Sequence, residues 1–169
     1  MDTPHDKNIR RNSIIAALLI ITAIFGTLAF IPSNSIALIS AIVAITISIA
    51  LPIYQKRFSF YSILFIIVGV LFILSGAIKN AADNFLDPMS ISSQIEFSKI
   101  MRPRQISMGL WNVGIGMCNA MLAWVWLKSF KNIPPRSKVM AWAPPILCII
   151  AILFIILGVS SIMNGLSRL

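Results

Sequence analysis

The sequence predicts an all-α fold: a polytopic integral membrane protein, a bundle of five transmembrane helices with one external loop segment, forming a single domain over residues 1–169. Three observations lead there. Of 169 residues, 58% are hydrophobic and 11% charged, whereas soluble domains are about 45–50% apolar. Charge is confined to short clusters, so that residues 12–55, 58–78, 105–127 and 139–167 contain no Lys, Arg, Asp or Glu; about 20 apolar residues are enough to cross a hydrocarbon core of about 30 Å. Aromatic residues also gather at segment ends, with Tyr54, Tyr61, Trp124, Trp126 and Trp142 toward one interface and Trp111 toward the other, as in the belts that flank spanning helices.

The polar start, Met1 to Asn12, resembles the charged region of a signal peptide. The apolar run at 13–31 is longer than the usual core of such a peptide and a second run follows it at once, so it reads as a retained first span. The uncharged stretch 12–55 is long enough to cross twice, and Ile31-Pro32-Ser33-Asn34-Ser35 supplies the turn. The second span, 35–53, carries Ala37 and Ala41, and Ser40, Ala44 and Ser48, at four-residue spacing that suits close helix contact. Pro52 stops it. The third span, 60–78, has Gly69 and Gly76 on one face.

Residues 79–108 form the expected external segment. From Met89 to Met101 apolar side chains fall mainly on odd positions, the period of a strand, while Ser93 and Glu96 fit the capping box of a helix. These two readings conflict, and no partner strand is evident. The fourth span, 109–127, carries Asn112, Gly116, Asn119 and Ala123 on one helical face. Small residues let backbones approach and buried amides seek hydrogen bonds from neighbouring helices, so this span is the expected hub and these four residues the expected packing face or polar path. The fifth span, 146–165, follows Pro144-Pro145, proline being suited to a first helical turn.

Nine of the fourteen Lys and Arg residues lie in the N-terminal, second-to-third and fourth-to-fifth connections, and five on the other side. That imbalance places the N-terminus in the cytoplasm and the C-terminus outside a cell (plasma or inner) membrane. The net charge of +9 is distributed as topology signals beside apolar runs, which favours anionic lipid headgroups as partners over nucleic acid.

Chemistry is sparse in the spans. None of the Lys, Arg, Asp and Glu residues lies in the core of one, and the single histidine is His5, which disfavours proton pumps and ion-coupled carriers. Met117, Cys118 and Met121 supply soft ligands of the type Cu(I) takes, although methionine in a helix core more often fills packing gaps. Asn80, Asp83 and Asp87, with Asn84, offer oxygen ligands near the outer surface; a solvated helix end accounts for them equally well. Cofactors are not indicated. The favoured function is a non-enzymatic structural or accessory subunit of a larger membrane complex, with the bilayer and other membrane subunits or further copies of itself as partners. The alternative is a small channel or carrier protomer built around the fourth span, with a soft metal such as Cu(I) as one candidate cargo.

Overall fold

The computed structural model describes residues 4–28, 42–43, 46, 50, 60–84, 94–130 and 138–167. Among these, four helices and no strand are found: α1 (Pro4–Leu28), α2 (Phe60–Asn84), α3 (Gln94–Phe130) and α4 (Lys138–Leu166). Three segments are long and apolar enough to cross a membrane, Ile63–Asp83, Met101–Phe130 and Met140–Leu166; the apolar part of α1, Arg11–Ile24, is shorter. The second span lies outside the described residues except for Ile42, Val43, Thr46 and Ala50, which are helical, with Thr46 Oγ1 donating to the Ile42 carbonyl at 2.8 Å.

Helix α3 is the hub. It packs against α1, α2 and α4, and of the described helices α4 packs chiefly on α3. All three neighbours run antiparallel to it. Asn12 of α1 meets Ser129 near the end of α3, Ser75 and Asp83 of α2 meet Ser107 and Arg104, and Gly158 and Gly165 of α4 meet Gly109 and Arg102. Two apolar clusters fill the interior: Ile15, Leu19, Phe65, Met121 and Val125 toward the N-terminal end of the bundle, and Val68, Phe72, Ile115 and Cys118 near the middle.

One conflict is resolved and one expectation corrected. Residues 94–101, where the strand and helix readings competed, are the first turns of α3. The helix begins one residue after Ser93, where the capping-box reading puts it. Alternation needs a partner strand to become structure, whereas a helix satisfies its own backbone; Pro103 is accommodated within α3. Pro144 and Pro145 likewise lie inside α4, not in its first turn, because that helix starts at Lys138. An interior proline forgoes one backbone bond. Pro144 is fully buried.

Candidate functional site

The site suggested by composition is the surface of α3, and its faces differ. Toward α4, a Cβ placed on Gly109 would lie 2.6 Å from the Gly158 carbonyl oxygen, one on Gly158 would lie 2.7 Å from the Gly109 carbonyl oxygen, and one on Gly116 would lie 2.9 Å from the Ala151 carbonyl oxygen. These contacts are too close for any side chain. Steps of seven residues, 102–109–116 on α3 against 165–158–151 on α4, keep the small positions in one antiparallel seam, the repeat that holds packed helices in contact along their length.

Toward α2 the contacts are aromatic and polar. The Phe72 ring lies against Gly114, where an added Cβ would come within 2.8 Å of Cε1. Ser75 Oγ donates to the Ser107 carbonyl at 2.8 Å and Ser107 Oγ donates to the Ser75 carbonyl at 2.7 Å. Both serines are fully buried, and each bond adds a second donor to a carbonyl with a free lone pair. Two turns further along α2, Asp83 Oδ1 accepts from Arg104 Nε at 3.0 Å and Nη2 at 2.6 Å, and its Oδ2 accepts from Lys79 Nζ at 2.6 Å. One carboxylate thus joins two cations and two helices.

The residues singled out in the sequence divide among these faces. Gly116 packs on α4 and Ala123 is fully buried; Asn112 is buried as well, 9% exposed. Asn119 donates through Nδ2 to the Ile115 carbonyl of its own helix at 2.9 Å, so that amide bond closes locally instead of reaching a neighbour, as short polar side chains in helices often do. Asn119 also lines a groove of about 390 Å³ between α1 and α3, together with Ala23, Thr27, Leu28, Cys118 and Leu122. Met121 belongs to the cluster near Ile15, Cys118 to the one around Phe72, and Met117 packs against the latter. Asn80 is exposed, Asp83 is held by Lys79 and Arg104, and Asp87 lies outside the described residues. Among the described residues no group of three or more His, Cys, Asp or Glu is positioned to hold a metal ion.

Sequence reasoning missed the serine pair, the Asp83–Arg104 link and the pairing of glycines between α3 and α4. Only the last left a legible trace: Gly109 and Gly116, and Gly158 and Gly165, repeat one seven-residue spacing in two separate segments.

Fold and site together define a helical bundle with three helices capable of spanning, compatible with a membrane protein. No protein-family model, curated protein or solved structure matches the chain.

Proposed function

We propose that the chain is a five-span protein of the cell membrane, N-terminus cytoplasmic and C-terminus external, serving as a non-enzymatic structural or accessory subunit of a larger membrane assembly. The observation that carries this reading is the state of α4. Its backbone is pressed against α3 along one glycine-lined edge, and Ile149, Ile152, Leu153, Ile156 and Leu157 remain exposed. Such a helix is rigidly held and free on its other sides, which suits contact with lipid and with neighbouring subunits. Helix direction supports a further span within 29–59: α1 and α2 both run antiparallel to α3, so the chain leaves α1 at one end of the bundle and enters α2 at the other.

Gentle detergent extraction followed by native mass spectrometry tests the subunit role. A defined heteromeric complex is expected. A monomer or homo-oligomer would overturn it and favour the second reading, a channel or carrier protomer, which rests on the groove beside Asn119 and Cys118. In that case a conductance or uptake activity is lost in an Asn112→Leu, Asn119→Leu variant, and Cu(I) binding, if that is the cargo, is lost when Met117 and Met121 become leucine.

A further inference from the structure

Among the described residues, three exposed cations stand at the N-terminal end of the bundle: Arg11 of α1, Lys128 of α3 and Lys138 of α4. The ion pairs found among the described residues are those of Asp83, at the opposite end. The Asn12–Ser129 hydrogen bond, 3.2 Å, holds the residue after Arg11 to the residue after Lys128. Antiparallel packing of α3 and α4 brings Lys138 to the same end.

Helices α3 and α4 repeat a pattern there. Trp124 precedes Lys128 by four residues and Trp142 follows Lys138 by four, so on each helix indole and ammonium share one face, with the indole about 6 Å nearer the bundle middle. The two rings are 60% and 66% exposed. In water such exposure leaves large apolar surfaces wet. At a headgroup boundary the same pattern places the ring among glycerol and acyl carbons, and the lysine reaches outward to phosphate. Among the described residues no ion pair holds these cations, so they favour headgroups with net negative charge over zwitterionic ones.

We infer that this end of the bundle binds anionic phospholipid, with Arg11, Lys128 and Lys138 contacting headgroups and Trp124 and Trp142 flanking the chains beneath them. The inference rests on the membrane placement proposed above and is independent of the subunit role. It is tested by reconstituting the full chain in nanodiscs of phosphatidylcholine with a minority of phosphatidylglycerol, then releasing it and counting retained lipids by native mass spectrometry. Phosphatidylglycerol is expected to be enriched over its bulk share. Arg11→Gln, Lys128→Gln and Lys138→Gln each lower that enrichment about five-fold, equivalent to about 1 kcal/mol per cation, and Lys99→Gln, near the other end of α3, leaves it unchanged. Retention at the bulk ratio, an enrichment that survives the triple substitution, or displacement by inorganic phosphate alone would each overturn the site. Failure to enter nanodiscs would overturn the membrane placement with it, whereas entry without enrichment overturns the lipid site only.

Discussion

The two long seams of α3 are built on opposite principles. Against α4 the contact is backbone on backbone, made by Gly109, Gly116, Ala151, Gly158 and Gly165. Against α2 it is side chain on side chain: Phe72 over Gly114, the reciprocal serines, and Asp83 between Lys79 and Arg104. In hydrocarbon, helices gain little by leaving lipid for one another, so close packing and interhelical hydrogen bonds must hold them together. The α4 seam relies on the first. It gains many short contacts, each small alone, and has no room for added volume. The α2 seam relies on both and distributes its stability over groups that can be removed one at a time. The difference shows in burial: 11% of the most apolar window of α4 is buried against 28% for α2 and 44% for α3.

The comparison can be broken at its tightest point. Gly158→Leu must place a side chain where the Gly109 carbonyl and the Val113 side chain already lie, and such overpacking costs about 3 kcal/mol or more. The variant should lose α4 docking, read as a large drop in the melting temperature of the detergent-solubilised chain; a shift of a degree or less would mean that the seam is not close-packed.

The α2 seam should yield more gradually. Ser75→Ala and Ser107→Ala each remove one interhelical bond, with an expected loss of about 0.6–1.7 kcal/mol apiece. Because the hydroxyls also lie 3.3 Å apart, a double-mutant cycle should show coupling, and strictly additive losses would show that the two bonds act independently.

Smaller still is Asp83→Asn, which leaves Lys79 and Arg104 adjacent without their shared carboxylate. Since the carboxylate and the arginine are partly solvated, at 26% and 41% exposed, about 1 kcal/mol is expected at low salt, shrinking as ionic strength rises. A loss that does not depend on salt would indicate a packing role instead. Asn12→Ala should change stability least, by about 0.5 kcal/mol, because a single neutral bond to Ser129 is removed at the end of the bundle.

How far these features could be read from the chain depends on the range of the interaction behind them. That residues 109–127 form a central helix was legible, because small and amide residues at helical spacing mark a surface that other helices cover. Asn119 shows where that reasoning stops: spacing gives the direction of a side chain, and a carbonyl four residues back on its own helix proved the nearer acceptor. Residues 94–101 show the converse. Their apolar alternation was a real pattern, yet a strand would have required a partner elsewhere in the chain. The helix required none.

Asp83 was legible as a polar group at a helix end but not as a link to Arg104, which is 21 residues away. The serine pair left no trace, since Ser75 and Ser107 are ordinary residues until two helices bring them face to face.

Composition and periodicity therefore determined the helical content, three of the five apolar segments expected to span and the identity of the hub, because each is a property of neighbours along the chain. Tertiary packing decided where α3 begins, which glycine meets which carbonyl, and which polar groups bond across helices. Those outcomes depend on the register between two surfaces, and register is set by the fit of all their side chains at once.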